Sequence, residues 1–278
     1  DVIALQRNKA LYWDYMDESL IEPKKTDVLV KCFLSMESAD ETARRIMRDI
    51  GDRKELSAGE IDFGTLESIK RVIEGDDWID VWKKHFRPLH IGARVVIVPE
   101  WIEYKKQTDE IIVTLDSNMA FGTGEHETTS MCLELLQDYV KEDCVCIDVG
   151  CGSGILGIAA AKLGAKTCYL TDIDTIAVES AKHNCIKNGV SERVVVAHSN
   201  LLDNAEIKGD VVFANITAEV LTLLAPSIPK NMKRDGALIL SGIIESRLEL
   251  VKKTYGAMGL RVVKQCRKGE WFALVLTF

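Results

Sequence analysis

Residues 147–165 read IDVGCGSGILGIAAAKLGA, an apolar run interrupted by Gly150, Gly152 and Gly154 and resumed at once by a helix-forming stretch. This segment limits the possible folds more than any other. A buried strand must turn sharply and enter a helix within a few residues. Glycine permits such a turn and lets the backbone approach a ligand closely. The spacing is not the dinucleotide fingerprint. GxGxxG would require glycine at position 155, which is Ile155. That weakens an NAD reading without eliminating it. The phosphate-binding GxxxxGK[ST] pattern is absent, and no Lys or Arg stands beside the glycines to neutralise a pyrophosphate.

The neighbouring segments point to a nucleoside ligand. The next strand, TCYLTD (167–172), ends in Asp172, about 20 residues beyond the first glycine. A carboxylate there is placed to accept both hydroxyls of a ribose. Asp174 is expected to cap the following helix. Asp148, just before the glycines, either orients the loop or faces a positive group of the ligand. A third strand, DVVFANI (210–216), brings Asn215 to the carboxyl edge of the sheet, where open α/β folds place their ligands. Its carboxamide offers both an acceptor oxygen and a donor nitrogen. It either holds an amine by its hydrogens or caps the next helix.

From residue 129 onward, helix-like and strand-like segments alternate, which argues for a parallel sheet covered on both faces. LRVVKQCRKGEWFALVLTF (260–278) reads as two strands joined near Lys268-Gly269, so an antiparallel strand is expected at the sheet's edge. Upstream, VLVKCFL (28–34) reads as a strand. SADETARRIMRDI (38–50) reads as a helix capped by Ser38, with Gly51 opening a loop-rich stretch. Helical spacing recurs over 66–75 and 76–86, where Trp78 and Trp82 share an apolar stripe. RVVIVPEW (94–101) and EIIVTLD (110–116) are expected to form an antiparallel pair.

The segment MAFGTGEHETTS (119–130) resembles a site of its own, but a metal is not expected, because His126 has no second His nearby. It reads as a loop leading into a helix capped by Thr128 and Thr129. The net charge of −8 over 278 residues disfavours tight binding to a nucleic-acid backbone. No apolar run is long enough to span a membrane. Eight cysteines without a CxxC pair fit a reducing cytoplasm. Cys144 and Cys146 should share one strand face rather than bridge.

The segments AFGTGEHETT, DVGCGSGILGIAAAKLGA, TDID, AKHNCIKNGV, ANITAEVL and LSGII together resemble the ribosomal protein L11 methyltransferase family, and DDWIDVWKKHF is similar to that family's linker. The resemblance implies a class I methyltransferase (Rossmann-like) α/β sheet with an antiparallel edge strand, preceded by a small α+β (ferredoxin-like) domain. The expected division is 1–65 for substrate recognition, 66–93 as a helical linker and 94–278 as the catalytic domain. Compared with the family, the chain starts inside the first of these. The implied cofactor is S-adenosylmethionine, and the implied partner is a ribosomal protein substrate, methylated on lysines and the N-terminal α-amine. Apart from the resemblance, a monomer is expected. Family cofactor contacts fall on Thr129, Gly150, Asp172 and Asn215. The residues themselves add Asp148, Gly152 and Gly154 to the cofactor side. Asn215, with His126 as a tentative second, is the expected catalytic residue. The Glu pair flanking His126 departs from the family pattern, which is commonly less acidic there.

Overall fold

The computed structural model describes residues 39–56, 87–115, 126–203 and 205–278. The chain divides into two compact units, Asp1–Asp80 and Val81–Phe278. In the first unit the described element is helix α1 (Ala39–Leu56), with Asp40 and Glu41 in its first turn and Arg53 and Lys54 in its last. That charge order matches the helix macrodipole. The helix runs straight through Gly51, where the sequence suggested a stop. A glycine inside a helix is unfavourable by only about 1 kcal/mol, and the helix-forming residues around it outweigh that. The strand expected at 28–34, its neighbour Ser38, the helices at 66–75 and 76–86, and most of the expected ferredoxin-like domain lie outside the described residues. Among the described residues, no helix is long and apolar enough to cross a membrane.

The second unit is built on the two-residue period of its strands. Along β4 (Val145–Val149) and β7 (Gly209–Asn215), Cys146 and Phe213 enter one hydrophobic core, while Ile147, Val149, Val212 and Ala214 enter the other. Each core needs a helical cover, so the sheet is buried on both faces. Helices α2 (Glu127–Tyr139), α3 (Ile155–Leu163) and α4 (Thr175–Lys187) cover the first core. Helices α5 (Ala218–Leu224), α6 (Ile228–Asn231) and α7 (Glu245–Ala257) cover the second.

The remaining strands are β5 (Thr167–Asp172), β6 (Val194–His198), β8 (Met232–Ile244), β9 (Arg261–Lys268) and β10 (Trp271–Thr277). Their order is β6-β5-β4-β7-β8-β10-β9. Strands β4 to β8 pair in parallel, and β10 pairs antiparallel with both β8 and β9. The antiparallel strand is therefore the one expected, but it lies inside β9, which forms the edge. The chain runs outward from β4 in both directions, so the crevice between β4 and β7 is the topological switch point.

A smaller sheet joins β1 (Leu89–Ile91), β2 (Val95–Pro99) and β3 (Ile111–Leu115) and packs on the first core. Here one expectation fails. β2 and β3 pair in parallel, Val95 opposite Ile111 and Pro99 opposite Leu115. The connection between them is long enough to return the chain to its starting end, whereas an antiparallel pair would be joined by a tight turn. β2's antiparallel partner is instead β1, across the turn at Gly92. Gln137 of α2 fixes that turn: its Oε1 accepts from the N–H groups of Ala93 and Arg94, and its Nε2 donates to the Ile91 carbonyl.

Candidate active site

The glycine loop adopts the conformation its composition allows. Gly150, Gly152 and Gly154 all have positive φ, at 73°, 54° and 80°. The Gly150 and Cys151 N–H groups donate to the Thr171 carbonyl at 2.8 and 3.0 Å, which draws the loop over the end of β5. A Cβ on Gly150 would stand 2.5 Å from Ile216 Cγ2. The loop is thus pressed against the residue that follows Asn215, so the ends of β4 and β7 are fixed relative to each other. The helix-packing glycine missing at position 155 is present two residues later. Gly157 lies inside α3, where a Cβ would meet Leu170 Cδ1 at 2.5 Å.

Asp172 ends β5, half-buried, with its carboxylate bridging two backbone segments. Oδ2 accepts from Gly152 N–H at 2.8 Å, and Oδ1 accepts from Asp174 N–H at 3.0 Å. Asp174 caps α4 as expected, accepting from Ile176 N–H at 2.9 Å. Asp148 is buried on β4. Its Oδ2 accepts from Gly157 N–H at 2.9 Å, while Oδ1 has no hydrogen-bond partner among the described residues. Burial pushes its carboxyl up to about 8; the Gly157 bond opposes this, and the nearby Asp172 charge adds to it.

The opposite wall combines β7, β8, β10 and the first turn of α2. Asn215 Nδ2 donates to Thr129 Oγ1 at 3.2 Å. Ser241, opposite Asn215 in the β7–β8 register, donates its hydroxyl to the Thr128 carbonyl at 3.2 Å. The expected caps are corrected here. Thr128 and Thr129 are buried inside the first turn, and His126 is the N-cap, its Nδ1 accepting from Thr128 N–H at 3.3 Å. An imidazole nitrogen has the lone pair that a cap requires, and the Trp271 ring of β10 holds it edge-on at 5.0 Å between centroids. Asn215 is not a cap either, because Thr217 occupies the N-cap position of α5.

Ile216, Gly242, Ser241 and Trp271 complete this wall, and sequence reasoning did not single them out. Gly242 has φ 85°, and a Cβ there would meet the Ile216 carbonyl oxygen at 2.3 Å. LSGII carried the only signal, a glycine interrupting an apolar strand. Gly122 and Gly124 of the expected loop lie outside the described residues.

S-adenosylmethionine can be tested against these groups by charge. Its sulfonium and ammonium are cationic, and its ribose offers two hydroxyls. The cradle presents the Asp172 carboxylate and the buried Asp148 carboxyl, whose Oδ1 has no partner among the described residues and whose charged form a nearby cation would favour, and it carries no Lys or Arg on residues 150–154. That set suits a cationic nucleoside and would repel a pyrophosphate.

Comparison with known proteins agrees with this chemistry. The family model described as ribosomal protein L11 methyltransferase matches residues 3–278. A ribosomal protein L11 methyltransferase of Clostridium botulinum is 40% identical over 268 residues, covering 95% of this chain and 84% of the relative. One from Thermoanaerobacter pseudethanolicus is 42% identical over 264 residues, with the same coverage. Among solved structures, the ribosomal protein L11 methylase of Lactobacillus delbrueckii subsp. bulgaricus aligns with a TM-score of 0.66 at 32% identity, covering 69% of this chain and 98% of that one.

Proposed function

The chain belongs to the ribosomal protein L11 methyltransferase family, and from that premise we propose that it transfers methyl groups from S-adenosylmethionine to amine nitrogens of ribosomal protein L11, both lysine side chains and the N-terminal α-amine. The observation that carries this reading is an acidic cradle, with no Lys or Arg on its glycine loop, beside an Asn carboxamide at the switch point of the sheet. The NAD-dependent alternative is not favoured, since the family and the relatives matched are methyltransferases.

When bound, S-adenosylmethionine supplies an electrophilic methyl group on a sulfonium. Asp172 would hold the ribose hydroxyls, Asp148 would face the ammonium, and Gly150, Gly152 and Gly154 would let the backbone lie close to the ligand. Thr129 and Asn215 would border the methionine end. The protein's remaining task is to orient a neutral amine. An unperturbed lysine has a pKa of about 10.4 and must shed its proton, to water or by desolvation; an α-amine, near 8, does so more easily. The Asn215 oxygen accepts a hydrogen of that amine and aligns its lone pair. Orientation of this kind contributes up to roughly 7–11 kcal/mol in ideal cases. His126 is the second residue proposed for catalysis. Its Nδ1 is committed to the cap, so a proton exchanged with the amine would pass through Nε2.

Residues 1–65 would recognise the ribosomal protein, and the linker expected at 66–93 would end before Leu89, because β1 pairs with β2 and so belongs with the catalytic domain. We assign the chain to the cytoplasm as a monomer acting on protein rather than nucleic acid. The test is incubation with labelled S-adenosylmethionine and ribosomal proteins lacking the modification, followed by mass spectrometry. Label on lysines and the α-amine of L11 is expected. Label on no ribosomal protein would withdraw that substrate.

A further inference from the structure

The Asn215–Thr129 hydrogen bond joins two segments 86 positions apart in sequence, and it uses the nitrogen end of the carboxamide. The two ends of a carboxamide act oppositely on an amine. The oxygen accepts one of the amine's hydrogens and leaves its lone pair available. The NH2 group would donate to that lone pair and occupy the electrons that must attack the methyl carbon. A carboxamide that helps methyl transfer must therefore have its nitrogen held elsewhere.

Thr129 is placed to do this, and its position does not depend on Asn215. It is 1% exposed, in the first turn of α2. The preceding carbonyl, that of Thr128, accepts from Ser241 Oγ, and Ser241 lies directly beside Asn215 in the β7–β8 register. His126 caps the same turn and is braced by Trp271. Adjacent strand ends thus grip adjacent residues of one helical turn, and the Thr129 hydroxyl is presented to Asn215 by a scaffold anchored separately.

We infer that Thr129 is a positioning residue for transfer: its buried hydroxyl holds the nitrogen end of Asn215 and leaves the oxygen as the end that meets the acceptor amine. This rests on the reading that Asn215 receives the acceptor. Thr129 acts on the reaction through Asn215, beyond bordering the cofactor.

A double-mutant cycle tests it on the full chain, with L11 as acceptor, turnover measured at saturating S-adenosylmethionine and cofactor affinity measured by calorimetry. Thr129→Val keeps the shape and removes the hydroxyl. It is expected to lower kcat roughly 10- to 100-fold while shifting cofactor Kd less than about threefold. Thr129→Ser, which keeps the hydroxyl, should restore kcat to near the wild-type value. On an Asn215→Ala background, Thr129→Val should bring no further loss, because the group it positions is gone. Thermal melting confirms folding, and Thr129→Ala serves in the same cycle if the valine variant is poorly recovered. An undiminished kcat in Thr129→Val, a full additional loss on the Asn215→Ala background, or a loss confined to cofactor affinity would each overturn the inference. Undiminished turnover in Asn215→Ala alone would instead remove its premise, the acceptor role of Asn215.

Discussion

On the β4–β5 side of the site the polar groups are set by the backbone, whereas on the β7–β8 side they are set by side chains reaching between distant segments. Asp172 is fixed by the N–H groups of Gly152 and Asp174, and Asp148 by that of Gly157. Asn215 depends on Thr129, and the turn that carries Thr129 depends on Ser241, His126 and Trp271. A cradle for an invariant cofactor can be rigid and local. The wall proposed to receive the acceptor is instead assembled from side-chain contacts between distant segments. The first side should respond to mutation mainly in cofactor affinity, and the second mainly in turnover.

The largest effect expected on the first side is from Asp172→Ala. It removes the proposed ribose partner and the anchor of the loop together, and hydrogen bonds to a charged group contribute about 1.5–3 kcal/mol each. Calorimetry should show S-adenosylmethionine affinity down by roughly 100-fold or more. A change under about threefold would break the division between the two sides.

Gly242→Ala comes next and sharpens the comparison from the other side. A Cβ there meets the Ile216 backbone at 2.3 Å, which cannot swing away, and φ is 85°. A stability loss of roughly 2–4 kcal/mol is expected in denaturant titration. Gly150→Ala should be milder, because its Cβ meets only the Ile216 side chain. Equal losses would contradict that ranking.

Asp148 gives a pH-dependent prediction. Its folded-state carboxyl is raised to about 8 by burial. Between the unfolded value, near 3.9, and that level, the unfolded chain has lost a proton that the folded chain keeps. Stability attributable to this group is therefore full at low pH and declines as pH rises through the window. Asp148→Asn should flatten the decline in melting temperatures measured from pH 5 to 8. A slope equal to the wild type's would exclude Asp148 as its source.

The smallest effect is expected from Lys268→Met. Lys268 bonds Ser130 Oγ and Glu134 Oε1, both at 2.7 Å, and ties β9 to α2. The pair is partly exposed, so the loss should stay below about 1 kcal/mol, with turnover nearly unchanged.

The same contrast explains what the sequence made legible. The backbone-built side announces itself locally: alternate glycines after an apolar strand, an acid at the next strand's end, and Asp174 as a cap. Asn215 could be placed because it ends a recognisable strand. Its partners could not, since Ser241 and Trp271 arrive from later strands and nothing local marks a hydroxyl or a ring that will touch α2. In the sequence His126 reads as a second catalytic residue and not as a metal ligand, and its capping role is not legible there because Ser, Thr, Asp and Asn are the usual caps. The parallel pairing of β2 and β3 was hidden because two apolar strands reveal their period but not their direction. Helix α7 carries its signal at Leu248, Val251 and Tyr255, a buried helical stripe that was not singled out.

The most direct measurement is single-turnover methyl transfer to L11 by Asn215→Ala at saturating S-adenosylmethionine, where cofactor affinity drops out of the rate. If Asn215 aligns the acceptor nitrogen, the rate should fall at least about 100-fold. A rate equal to the wild type's would contradict the assignment of the β7–β8 wall to the acceptor.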